Sequence, residues 1–259
     1  MANALLLPTY SLTRRELVRF LRQRNRVIGA LATPIVFWLL IGGGMGRSFA
    51  GPAGGSEGYL SYFFPGTILM ILLFTAIFST ISVIEDRREG FLQGVLVAPV
   101  GRLAIVLGKI IGGAILATGQ ALLFLILGWL TGVSTFALGS FLVTLGLMFV
   151  VSLALTGLGL CIAWRMSSTQ GFHAIMNLFL MPMWFLSGAL FPVRDDTPHV
   201  LKALMLANPL HYALTSLRGA LESPVVIDRL SVGVTVVFMF VMLGLAILIA
   251  SGRTKADSQ

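Results

Sequence analysis

Residues 110–164 read IIGGAILATGQALLFLILGWLTGVSTFALGSFLVTLGLMFVVSLALTGLGLCIAW, 55 residues without one Asp, Glu, Lys or Arg. As a single helix at ~1.5 Å per residue this run would be about 80 Å long, against a hydrocarbon core of ~30 Å. It must therefore fold back. Its polar, small-residue break is Thr131-Gly132-Val133-Ser134-Thr135, which leaves two spans near 103–130 and 138–163. The whole chain has the same character: 57% hydrophobic, 11% charged, mean hydropathy +0.94. A soluble domain carries about 25% charged residues to hydrate its surface, and a disordered chain needs low hydrophobicity. Both classes are excluded. The single cysteine, Cys161, excludes an intrachain disulfide framework and a Cys-rich metal site.

Outward from this hairpin, the other charge-free runs are 27–46, 58–84, 166–193, 203–217 and 230–252. The run 203–217 is too short to cross and is interrupted by Asn208-Pro209. Six spans remain, at 27–46, 62–84, 103–130, 138–163, 172–191 and 231–251. None alternates as a barrel strand would, and in lipid a lone segment satisfies its backbone only as a helix. The predicted fold is a single all-α integral membrane domain over 1–259 with six transmembrane helices. An even number of crossings puts both termini on one side. That side holds thirteen Lys/Arg and the other five, with five acids on each, so the whole net charge of +8 falls on the first. By the positive-inside rule it is cytoplasmic, and the charge reports orientation rather than a nucleic-acid partner. The first span exceeds the 7–15 residue core of a signal peptide.

Three segments outside the spans carry patterns. Residues 11–26, within a cytoplasmic segment 1–26, read as an amphipathic helix opened by a Thr13/Glu16 capping box. Arg15, Arg19, Arg22 and Arg26 form one stripe, and Leu17, Phe20 and Leu21 another. This fits an interfacial helix on anionic lipid, and equally a plain positive flank. The first cytoplasmic loop, 85–102, begins Glu85-Asp86-Arg87-Arg88-Glu89-Gly90. Phe91, Leu92, Val95 and Leu96 then repeat on one face of a short helix that Pro99 stops. Such a peg can bury its apolar face in a soluble partner's groove, where a solvated turn would hardly need four large apolar residues. In the outer loop, 192–230, Asp195-Asp196-Thr197-Pro198 and Asn208-Pro209 each read as a helix start. They open 199–207 and 209–221, two helices too apolar for water and too short to cross, expected in the outer leaflet.

Catalytic chemistry is not legible. None of Lys109, Lys202 or Lys255 stands in G-x-x-x-x-G-K-[ST], and H-E-x-x-H and G-x-S-x-G are absent. His173 and Ser187 fall fourteen residues apart on one predicted helix, about 21 Å, too far for a nucleophile and its base. No acid or base sits at mid-membrane, as ion-driven transporters usually require. Inside the spans remain Phe74 and Phe78 in span two, with Asn177, Met181, Trp184 and Phe185 in span five. Pro182 predicts a kink there. These side chains admit two readings, packed or lipid-facing surface, or the lining of a greasy cavity. Gly108/Gly112 and Gly128/Gly132 match G-x-x-x-G, a match that 29 glycines produce by chance.

Taken in order, Pro65-Gly66, Glu85, Glu89-Gly90, Leu96, Pro99-Val100, Arg102, Gly108-Lys109, Phe185-Leu186-Ser187-Gly188, Phe191-Pro192, Asn208-Pro209-Leu210 and Leu217-Arg218-Gly219 resemble the ABC-2 type permease family. These are the membrane halves of type V ABC exporters, and the drug-, lipid- and glycan-export branch is nearest. The resemblance implies a permease in a bacterial inner membrane, with no catalytic or metal site and no cofactor on this chain. ATP and Mg would sit on two copies of a separate ATP-binding subunit, and a second permease copy or a homologous one would complete a dimer in membrane lipid. It also implies that Arg15, Arg19, Glu85, Arg87, Arg88, Glu89, Gly90, Phe91, Leu92 and Arg102 contact the ATPase. Phe74, Phe78, Asn177, Met181, Trp184 and Phe185 would line the substrate path. An intramembrane lipid-processing enzyme and a non-transporting scaffold are the competing classes.

Overall fold

A computed structural model of the chain describes residues 2–45, 58–91, 94–95, 100–134, 137–193, 197–222 and 224–252. Among them are ten helices and no strand. They are α1 (Ala2–Arg22), α2 (Arg24–Met45), α3 (Tyr59–Ser79), α4 (Ile81–Arg88), α5 (Arg102–Leu130), α6 (Leu138–Ala163), α7 (Thr169–Phe185), α8 (His199–Ala207), α9 (Pro209–Leu221) and α10 (Arg229–Ser251). Five stretches are long and apolar enough to cross a membrane: 27–44 within α2, the α3–α4 pair, α5, α6 and α10. These match five of the six expected spans. The expected fifth, 172–191, holds regular helix only to Phe185. At 17 residues α7 rises about 25 Å, and the chain then turns through Ser187 and Gly188, the latter at φ +88.

The core is built around α3, which is buried on nearly every side and packs on α2, α5, α6 and α9. Small residues set these distances. A Cβ on Gly128 would overlap the Phe64 ring, and Phe64, Phe124 and Trp38 form an aromatic cluster with centroids 4.9–5.9 Å apart. Trp38 also donates its indole N–H to the Leu60 carbonyl at 3.0 Å, pinning the otherwise open α2. On the far side α10 packs on α6 and α9. Asp228 caps it by accepting from the Leu230 and Ser231 amides. The hydrogen bonds from Ser231, side chain first, hold its carboxyl below the usual carboxylate range.

Several local expectations are realised. Gly132, at φ +73, turns the chain between α5 and α6. Gly90, at φ +75, follows the end of α4. Phe91, Gly94 and Val95 beyond it are helical, while Leu92, Leu96 and Pro99 lie outside the described residues. Asn208 caps α9 by accepting from the Leu210 amide, with Pro209 in the first turn. Pro198 is the cap of α8 rather than its first residue. Asp195 and Asp196 lie outside the described residues.

Two expectations are corrected. The N-terminal helix begins at Ala2, so Thr13 and Glu16 stand in mid-helix and form no capping box. The face of α1 that packs inward carries Leu12, Thr13, Glu16 and Phe20, while Leu21 is 62% exposed beside Leu6, Leu7, Tyr10 and Val18. Nor is Gly108/Gly112 a chance match. Added Cβ atoms there would meet the Leu12 Cβ at 2.7 Å and the Glu16 Cβ at 2.9 Å. The pair is the groove into which α1 docks on α5, as small residues permit between membrane helices.

One end of the bundle is knitted around the turn after α7. Tyr62 and Arg218 each donate to the Gly188 carbonyl at 2.9 Å, and Tyr59 donates to Leu190 O at 3.0 Å. The Trp184 indole donates to Gly66 O at 2.9 Å, and Asn208 Nδ2 donates to Met183 O at 2.6 Å. Ala189 fills the space above Gly66. Pro65-Gly66, 185–188, Asn208-Pro209 and Arg218-Gly219, distant in sequence, thus form one junction. At the opposite end Arg87 donates to the Trp164 and Met166 carbonyls at 2.6 and 3.2 Å, where the chain enters α7.

Candidate functional site

The densest polar chemistry lies where α1, α4 and α5 meet. Asp86 is wholly buried and accepts from three cations. Arg15 reaches it through both terminal nitrogens, at 2.6 and 3.0 Å, Arg19 at 2.5 Å and Lys109 at 2.5 Å. The Lys109 ammonium has three N–H donors and three acceptors: Asp86, Glu16 at 2.6 Å and the Ser82 hydroxyl at 3.0 Å. Glu16 takes a further bond from Ser82 at 2.6 Å, and Arg19 extends to Glu85 at 2.9 Å and to the rim residue Glu89 at 3.4 Å. Three cations thus face three carboxylates inside, with Glu89 outside. Isolated buried charges are costly, so burial demands such pairing.

The helical repeat assembles this site. On the α3–α4 face Thr75, Ser79, Ser82 and Asp86 follow at steps of four, three and four, all buried. On α1, Arg15, Glu16 and Arg19 lie within one turn. Burial works against the Arg15 charge, but the hydrogen bonds to Asp86 and the attraction of Asp86, Glu16 and Glu89 outweigh it, and its pKa lies above the ordinary arginine value. The guanidinium also stacks 3.6 Å from the centroid of Phe91, a cation–π contact that ties the loop to α1.

The sixteen residues read from the sequence fall into distinct settings. Arg15, Arg19, Glu85, Glu89 and Phe91 are brought together. Arg87 turns instead to the exit of α6, and Arg102 donates to the carbonyls of Ala250, Ser251 and Gly252 at the end of α10. Arg88, Glu89 and Gly90 are exposed, and Leu92 lies outside the described residues. Phe91 and Val95 pack against the chain's own core rather than standing out as a peg. Asp86 cannot meet a partner while it is enclosed. On the path side Phe74 and Phe78 lie 5.5 Å apart, with Phe78 5.1 Å from His173 of α7. Asn177 and Phe185 are exposed, Met181 is half-buried, and Trp184 is buried inside the subunit. Ser187, also buried, donates its hydroxyl to Trp184 O at 2.6 Å.

Glu16, Ser82, Asp86 and Lys109 complete the cluster, and sequence reasoning gave none of them this role. The available signal was a lone lysine two turns inside an apolar helix, level with a glutamate on the docked face of α1.

A sequence model of the ABC-2 type transporter family matches residues 8–221, which include every member of the ion cluster. The chain belongs to the ABC-2 type transporter family. Among its relatives is nodulation protein J of Rhizobium leguminosarum bv. trifolii, 30% identical over 78% of this chain and 76% of that protein. The daunorubicin resistance ABC transporter permease protein DrrB1 of Streptomyces coeruleorubidus is 23% identical over 79% and 71%. A third, named "Probable multidrug ABC transporter permease YbhR", from Escherichia coli (strain K12), is 32% identical over 60% of this chain and 42% of its own length. This ABC-2 chain is a multi-pass membrane permease of an ABC transporter, and permeases of this family function with an ATP-binding subunit. The ion cluster therefore lies within the matched family domain.

Proposed function

We propose that this chain is the permease subunit of an exporter that moves a hydrophobic or amphipathic substrate outward across a bacterial inner membrane. A drug, a lipid or a lipid-linked glycan fits, and the names of two relatives favour a drug. Energy comes from ATP and Mg held by two copies of a separate subunit, and a second permease copy, identical or homologous, completes the transporter. The six-span topology with both termini cytoplasmic belongs to this reading.

The observation that carries it is the block formed by α1, α4 and the loop after it. Its interior is fixed by paired charges, and it leaves Arg88, Glu89 and Gly90 exposed at the end of the α3–α4 span. A rigid, charged surface there suits a soluble motor. Across the bundle, α7 exposes Asn177, Leu178, Phe179 and Phe185, an apolar face with one amide that suits a second permease copy or an amphipathic substrate.

Gentle solubilisation of the tagged chain from its native host tests this. An ATP-binding subunit is expected to copurify, and the surface variant Arg88→Glu/Glu89→Lys is expected to lose it while the membrane protein stays assembled. A complex that never contains an ATPase sinks the permease reading. Undiminished association in the variant removes this surface as the docking site.

A further inference from the structure

Lys109 stands two turns inside α5, and all three of its acceptors belong to other helices: Glu16 to α1, Ser82 and Asp86 to α4. The contact of α1 with Gly108 and Gly112 of α5 is close packing with one neutral hydrogen bond, from the Thr13 hydroxyl to the Gly108 carbonyl at 3.3 Å, so it resists compression far more than separation. Charge-assisted hydrogen bonds resist both. Glu16 and Asp86 also hold Arg15, which stacks on Phe91 of the loop. A continuous chain of contacts thus runs from Phe91 through Arg15 and the two carboxylates to the Lys109 ammonium. It leaves the exposed loop and ends on a membrane-crossing helix.

We propose that Lys109 is the positioning residue through which displacement of the cytoplasmic loop reaches α5, so that loop, α1 and the inner end of α5 move as one body. This rests on the permease reading given above. Removing the ammonium leaves Asp86 paired with Arg15 and Arg19, and Glu16 bonded to Arg15 and Ser82. Lys109→Met therefore removes the charged arm to α5, leaving only the Thr13–Gly108 hydrogen bond and packing there, while the α1–α4 pairs stay.

The test is hydrogen–deuterium exchange on the complex purified with its ATPase, with and without ATP and vanadate. In wild type both the loop (88–95) and the start of α5 (101–112) are expected to respond. In Lys109→Met the loop response should stay within about twofold while the α5 response falls about tenfold or more, the scale of coupling between linked sites. Lys109→Arg, which keeps the charge, should recover part of it. An undiminished α5 response in Lys109→Met overturns the proposal. So does a loss in both segments, or lost protection before nucleotide is added, since a merely structural staple gives those results. If Lys109→Met does not accumulate, Ser82→Ala removes one acceptor of the ammonium and must weaken the α5 response selectively, and an unchanged response overturns the proposal. A wild-type complex without an ATPase overturns the permease reading and this proposal with it. A wild-type response combined with an indifferent Lys109→Met overturns this proposal alone.

Discussion

Asp86 and Arg88 are two residues apart, yet their expected contributions differ by an order of magnitude. Asp86 is enclosed and accepts four hydrogen bonds from Arg15, Arg19 and Lys109, whereas Arg88 is exposed. Removing one partner of a buried ionic group costs about 3–5 kcal/mol, because the remaining charges stay desolvated. An exposed charge is worth no more than about 0.5 kcal/mol. Asp86→Ala should fall near the lower bound, since Glu16 and Glu85 still hold Lys109 and Arg19. Thermal unfolding of the solubilised protein checks this: Asp86→Ala is expected to melt well below wild type, and Arg88→Ala at the wild-type temperature. Equal melting temperatures for the two variants would mean that the cluster does not hold the fold.

At the scale of elements, α1 is the helix whose placement matters most. Its inward face meets α5 through backbone as well as side chain, since a Cβ on Gly108 would also lie 3.3 Å from the Thr9 carbonyl oxygen. Backbone cannot move aside cheaply, so Gly108→Val should cost about 1–3 kcal/mol of overpacking, concentrated on the α1–α5 contact. Limited trypsin digestion after Arg14 or Arg22, both exposed, should then run roughly tenfold faster than in wild type, with the rest of the bundle intact. Unchanged cleavage would refute this docking. The long apolar helices were legible because length and missing charge fix them without knowledge of their neighbours. The site was legible only at its rim. Glu85, Glu89 and the arginines of α1 stand out as a charge cluster, but a linear pattern does not show that α1 turns Glu16 inward to Lys109, 93 residues away. The same limit hid Gly108/Gly112, whose role depends on which helix arrives.

For the whole molecule, the parity of crossings decides where the two termini stand. Among the described residues five helical stretches are long and apolar enough to cross a membrane, and five crossings would put the two termini on opposite sides. The positive-inside count does not separate the alternatives, because the loop around Lys202 and Arg218 adds basic residues to whichever side holds it. The tie points of α7 argue for six. Its entry is held by Arg87 at the C-terminal end of α4, and the turn beyond its last residue is held by Tyr59 and Tyr62 at the opposite end of α3. On that basis a sixth crossing is the expected outcome, with the turn and a few ångströms of bilayer thinning making up the length that its 17 residues lack. Alkaline phosphatase inserted after Lys202 is expected to be active, and a fluorescent protein fused after Gly252 to fluoresce in the cytoplasm. A silent phosphatase at Lys202 together with a dark fusion at Gly252 would leave five crossings, with α8 and α9 on the cytoplasmic side.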